Sequence, residues 1–332
     1  MARELPKNWW GLLRQTYMEW SEDRASTLAA ALSYSAIFAL APIVVIAVYV
    51  TGLVLGHHSG ARRAVHDQIA GFVGEGSAVF FDQVISKTYQ ASIGGKAVVF
   101  SVVSGILLLY AATNLFTSLQ DSLNVVWHVE RNPKMGWRAM VWARFVTFVM
   151  VVAIGVLLLL SVVASTYVAS VGQFLGGMSP LLAAGFEAVL SVVVFTVLFA
   201  MMMKYLPDAV VNWPDVLVGA AFTAILFTVG KYGLAMYLSR ASVSTTYGAA
   251  GSLVVLMLFI YYSAQIFFLG AEFTTVYARR TGTPIRPRKY AVHVEEARRM
   301  QEESKVAKGL MAKEEQGEGG QGDQVNERKR ET

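Results

Sequence analysis

The chain contains no cysteine. That excludes disulfides, thiolate nucleophiles and cysteine metal sites. Charge is also scarce: Asp, Glu, Lys and Arg make up 15% of the 332 residues, against about a quarter in soluble domains. Much of that charge falls after residue 281, so the preceding chain is poorer still. Histidine is rare, and His57, His58 and His66 form its one cluster in the sequence. No carboxylate stands beside them at ligand spacing, so no metal site is expected there. No glycine-rich loop follows a strand, because no convincing strand is present, so no nucleotide cradle is expected. Nor does an exposed acid–base pair or ligand set of the kind a nuclease needs appear. These absences argue against an enzyme, against any cofactor and against a nucleic-acid partner.

Apolar sequence is abundant, at 55% of residues. It comes in runs long enough to cross a hydrocarbon core about 30 Å thick. The runs predict an all-α polytopic membrane protein with six transmembrane helices, over about 26–55, 96–122, 140–168, 181–203 and a final hairpin over 214–279. The hairpin is expected to turn at Ser244 to Gly248. Pro42 inside the first run removes a helical hydrogen bond and predicts a bend there. Before the first span, Leu5, Trp9, Leu12, Leu13, Thr16, Tyr17 and Trp20 recur at helical spacing, which predicts an interfacial helix within residues 1–25. Residues 57–95 alternate apolar and charged positions, which predicts an extracytoplasmic amphipathic helical loop. Residues 281–332 are charged and rich in Gly and Gln, which predicts a mostly disordered tail.

The basic residues give an orientation. With six spans, thirteen of the lysines and arginines flanking them, counted up to Lys289, fall on the side of the two termini and five on the other. The positive-inside rule then places both termini in the cytoplasm. The lipid bilayer is the expected partner, and the sequence leaves a homo-oligomer open.

The ionisable residues inside these spans are the candidate site. A charge at the centre of a span costs about 3 kcal/mol on insertion scales. Lys231 shares a helix face with Ala220 and Ala224, while Val218, Phe222, Ile225, Leu226 and Val229 lie opposite. Small residues let another helix approach, so Lys231 is expected to point inward. Glu187 stands at similar depth on the fourth span and is its expected partner. Asp121, Arg144 and Glu272 group near the inner surface, with Asn114 between the layers. Tyr110, Asn114, Ser118 and Asp121 form one polar stripe, and Tyr261, Gln265 and Glu272 another. Two readings stay open. The polar groups line a path for an unknown polar solute or lipid headgroup, or they are glue between helices in an envelope scaffold.

Several stretches resemble the YihY/BrkB family of bacterial inner-membrane proteins. They are Asp23 and Ala29 to Tyr34 with Leu40-Ala41-Pro42, Tyr205-Leu206-Pro207 with Trp213, Gly219-Ala220, Tyr247-Gly248 and Gly270-Ala271-Glu272. The resemblance covers residues 10–280 and implies six spans in the bacterial plasma membrane. Members have been labelled virulence factors and ribonuclease BN, and nothing in these residues supports the nuclease label.

Overall fold

The structure, a computed structural model, describes residues 8–38, 97–132, 180–240, 243–283, 285–288 and 291–300, with isolated positions among 66–86 and residue 302. The third predicted span, the bend at Pro42 and Arg144 lie outside these residues, as does most of the 57–95 loop.

Helix α1 (Trp9–Glu22) starts where the Asn8 side chain accepts the Gly11 N–H at 2.9 Å, satisfying one of the unpaired donors of the first turn. Leu12 and Thr16 are its buried residues, and Trp9, Trp10, Leu13, Tyr17 and Met18 face outward. A tight turn through Asp23 and Arg24 leads into α2 (Ala25–Phe38). Helix α3 (Ala97–Val126) ends in a turn through Trp127 and His128. Then come α4 (Pro180–Tyr205), α5 (Trp213–Arg240) and α6 (Val243–Arg280). Within α5 and α6, Trp213–Lys231 and Leu253–Arg280 are long and apolar enough to cross a membrane.

At the entry to α5 the Asn212 carbonyl accepts the N–H groups of Asp215 and Val216, both at 3.1 Å. The exit of the hairpin's first helix departs from the expected turn. Helix α6 already begins at Val243, so Ser244 to Gly248 are helical rather than a turn. No proline interrupts that stretch, and small polar residues do not by themselves stop a helix.

Helices α5 and α6 cross at two glycines. A Cβ on Gly219 would lie 1.8 Å from Thr274 Oγ1, and one on Gly270 would lie 1.7 Å from Thr223 Oγ1. Each threonine also donates to the carbonyl of the glycine on its own helix, Thr223 to Gly219 at 2.7 Å and Thr274 to Gly270 at 2.8 Å. The glycine of one helix thus seats the threonine of the other, twice. Close backbone approach of this kind is how helices associate where lipid supplies no hydrophobic drive. Below the crossing, Phe195, Phe199, Phe227 and Phe267 fill the space between α4, α5 and α6, with Phe195 and Phe227 edge to face at 4.8 Å. A second cluster joins Leu12 of α1 to Phe273, Val276 and Tyr277 of α6.

Two short antiparallel ladders correct the expectation of an all-α chain without strands. β1 (Val129–Arg131) pairs with β4 (Ala291–His293), and β2 (Ala209–Val210) with β3 (Arg286–Pro287). Strands of two or three residues are too short to show the alternation by which a strand is read. The chain therefore stays folded past residue 281, where the composition changes. Helix α6 ends in a Schellman motif: Gly282, at φ +76°, is followed by Thr283, whose N–H reaches the Ala278 carbonyl at 2.9 Å. A further helix, α7 (294–300), follows β4.

Candidate functional site

Glu272 is the most costly residue in the described chain. It sits in α6 between the glycine crossing and the contact with α1, and it is 0% exposed. Neither of its oxygens reaches a hydrogen-bond donor among the described residues. Its neighbour is Asp23, at the C-terminal end of α1, close enough to act on Glu272 both as a like charge and through side-chain hydrogen bonding. Asp23 Oδ2 is likewise buried without a partner at ordinary geometry, while Oδ1 lies 3.7 Å from His128 Nε2. Burial is the main cause that holds the Asp23 carboxyl above the ordinary carboxylate range, and the nearby His128 opposes it.

The surroundings of this pair are unusual in three ways. Glu19 and Glu22 add negative charge on α1, and Arg279 answers with an ion pair to Glu19. The two turns beside the pair each hold a non-glycine residue in the left-handed region, Arg24 at φ 51° and His128 at φ 54°. Such backbone costs about 1–3 kcal/mol and gathers at functional sites. Two indole N–H groups are buried without partners on the same elements, Trp20 one turn before Asp23 and Trp127 next to His128. The packing of Leu12 against Phe273 and Tyr277 fixes α1 on α6 and so brings the two carboxyls together.

A second polar joint lies nearby. The buried Asp208 carboxylate accepts from Gln120 Nε2 at 3.0 Å and Asn124 Nδ2 at 2.8 Å, and its N–H donates to Asn124 Oδ1 at 2.9 Å. Its carbonyl accepts the Arg288 N–H at 2.9 Å. Arg288 in turn donates to the carbonyls of Lys204 and Tyr205, at the end of α4, and of Ala209 in β2. Asp215, at the start of α5, takes the hydroxyls of Thr281 and Thr283 at 3.3 and 2.7 Å. Arg280 reaches the Asn8 carbonyl and the Gln15 side chain. The last residue of α6 is thus tied to α1, and the segment after it to β1, the end of α4 and the start of α5.

The residues singled out by sequence are spread along the bundle. Lys231 is half-buried on α5, one turn beyond buried Phe227 and two beyond buried Ala224, while Ile225 and Val229 are 55% and 66% exposed. Its expected partner Glu187 lies in α4, with its side chain outside the described residues. Tyr110, Asn114 and Asp121 are exposed on α3, and Gln265 is half-buried on α6. Glu272 is buried, and the carboxyl it meets is Asp23, which the sequence names only within the family resemblance and gives no role. Asp208 and Arg288 were not singled out; the signal for the first was its place directly after Tyr205-Leu206-Pro207. His66, expected to be a bystander, is hydrogen-bonded through Nδ1 to Asp82 at 2.9 Å. Among the described residues no group of three or more His, Asp or Glu could hold a metal ion.

A family profile described as Virulence factor BrkB matches residues 16–293, from α1 to the last residue of β4. Curated relatives include a UPF0761 membrane protein of Methylibium petroleiphilum, 27% identical over 270 residues, which are 79% of this chain and 61% of that protein. Another, from Verminephrobacter eiseniae, is 28% identical over 275 residues, 80% of this chain and 62% of the relative. A third, from Alteromonas mediterranea, is 26% identical over 255 residues, 76% of this chain and 83% of the relative. The chain thus spans about three-fifths of the length of the first two relatives. No solved structure matches it.

Proposed function

The chain belongs to the BrkB virulence-factor family, whose relatives here are named membrane proteins, and from that premise we propose that it is a transporter or exporter. In this reading six helices span the bacterial inner membrane with both termini in the cytoplasm. A polar or amphipathic solute, or a lipid headgroup, passes through the bundle. The chain acts without a cofactor, catalyses no reaction and engages no nucleic acid.

The observation that carries this reading is Glu272: a carboxyl fully buried in a helix long enough to cross the membrane, with no donor reaching it among the described residues and a second carboxyl beside it. Ionisable groups in spans are expensive and commonly mark ion or substrate paths. A group kept only for packing would be expected to find a partner, because an unsatisfied buried polar group costs about 1–3 kcal/mol and more if charged. Support for the orientation comes from the basic residues Arg279, Arg280 and Arg288, all of which bind at the same end of the bundle as the α1–α2 turn or the end of α4. That clustering is what the positive-inside rule expects of a cytoplasmic face.

An envelope scaffold is the second reading, and the close seating of Thr274 on Gly219 and of Thr223 on Gly270 favours it. The two are separated by measuring lipids and small metabolites on both sides of the membrane in cells with and without the chain. A class of molecule that shifts sides when the chain is present supports transport. Unchanged distributions, with altered envelope integrity, support the scaffold.

A further inference from the structure

We propose that Asp23 and Glu272 hold one proton between them and form a reversible proton-binding site that joins the α1–α2 turn to α6. This goes beyond the transport reading and does not depend on it.

The geometry carries the assignment. The Asp23 carboxyl lies within hydrogen-bonding reach of Glu272, which is 0% exposed and meets no donor among the described residues. Two carboxylates cannot both stay ionised at such close quarters in a dry site, whereas an acid and a carboxylate sharing one proton satisfy each other. Every charged group facing the pair weighs on the balance. On α1, Glu19 and Glu22 oppose a second negative charge. On α6, Arg279 favours it but is engaged with Glu19. On the α3–β1 turn, His128 reaches Asp23 alone, at 3.7 Å, and its side chain is 57% exposed. No basic group is fixed on Glu272 among the described hydrogen bonds and ion pairs. A divalent cation is a poorer occupant, because calcium takes 6–8 oxygen ligands and magnesium six, and no ligand group of that kind is present among the described residues.

Release of the proton breaks one carboxyl O–H bond, sends the proton to water and leaves two carboxylates. Their repulsion falls on the α1–α2 turn, where Arg24 already holds a left-handed backbone at φ 51°. The turn is therefore the part of the fold that proton loss would push away from α6.

The test is infrared spectroscopy of the full chain in lipid nanodiscs, following the C=O band of a protonated carboxyl as pH is raised from neutral to alkaline. The wild type is expected to show the band at neutral pH and to lose one proton per chain on the way up. Glu272→Gln and Asp23→Asn should each change that titration, and the double variant should abolish it. Both substitutions are neutral and nearly isosteric, so the variants are expected to fold, and helix content measured on the same samples checks this. No protonated carboxyl in the wild type at neutral pH would overturn the proposal. So would a titration that either folded single variant leaves unchanged, or binding of sodium, magnesium or calcium at constant pH with no proton released. If the titration is found while lipid and metabolite distributions are indifferent to the chain, the proton site stands and the transport reading falls. The reverse result removes the proton site alone.

Discussion

Gly270→Ala adds one methyl group at the tightest point of the α5–α6 crossing. The new Cβ would lie 1.7 Å from Thr223 Oγ1, 2.8 Å from Thr223 Cβ and 3.1 Å from Thr223 Cγ2. Rotating the threonine moves its hydroxyl and methyl but not its Cβ, which is fixed to the α5 backbone. Rotation would also break its bond to the Gly219 carbonyl at 2.7 Å. The helices must therefore separate, and overpacking of this kind costs about 1–3 kcal/mol. The better helix propensity of alanine offsets at most about 1 kcal/mol. The net expectation is a loss of about 1 kcal/mol. Thr223→Gly removes the obstructing Cβ, so the double variant should recover at least about 1 kcal/mol relative to the sum of the single changes. Gly233→Ala is the control, because nothing lies within 4 Å of a Cβ there, and it should be neutral or slightly stabilising. Reversible unfolding in mixed micelles measures all four variants. Gly270→Ala as stable as Gly233→Ala would refute the close crossing, and with it the means by which Glu272 is held out of water.

Asp208→Ala removes the buried carboxylate that accepts from Gln120 and Asn124 and should cost about 1–3 kcal/mol; thermal unfolding should show it, and a variant as stable as wild type would deny the joint. Truncation after Thr283 removes β3, β4 and the Arg288 bonds to Lys204, Tyr205 and Ala209, and should lower stability, whereas truncation after Glu302 should not. Equal stability of the two truncations would show that the ladders contribute nothing. The Asp23 carboxyl lies above the ordinary carboxylate range because it is buried, so the folded state holds that proton more tightly than the unfolded state. Its contribution is fully present below the ordinary carboxylate range and is lost as pH rises through the raised value. Asp23→Asn should flatten that slope in a pH series of unfolding curves, and an identical slope would contradict the assignment.

The hairpin was the most legible part of the chain in sequence. Ala220 and Ala224 are buried while Ile225 and Val229 face out, because small and bulky residues sort by face along a helix of regular period; Val218, Phe222 and Leu226, expected on the outer side, pack instead against α1, α6 and the core. Glu272 was legible for a different reason: a carboxylate in an apolar run is costly wherever it points. Asp23 was not, since Ser21-Glu22-Asp23-Arg24 reads as an ordinary charged flank until the chain turns there. Its pairing with Glu272 joins residues far apart in sequence, and no local pattern announces such a contact. The ladders and the Asp208 joint failed to show for the same reason, being made of short segments drawn from α3, the α4–α5 connection and the chain after α6. The stripe of Tyr110, Asn114 and Asp121 shows the limit of periodicity: the residues share a face of α3, and that face is exposed.

The most direct measurement compares the two sides of the membrane for lipids and small metabolites in three strains, one with the wild-type chain, one with Glu272→Gln at equal abundance and one without the chain. The expected result is a class of polar or amphipathic molecule whose distribution differs between wild type and no chain, with the Glu272→Gln strain resembling the strain without it. The contradictory result is a wild type indistinguishable from the strain without the chain, or a Glu272→Gln strain indistinguishable from wild type.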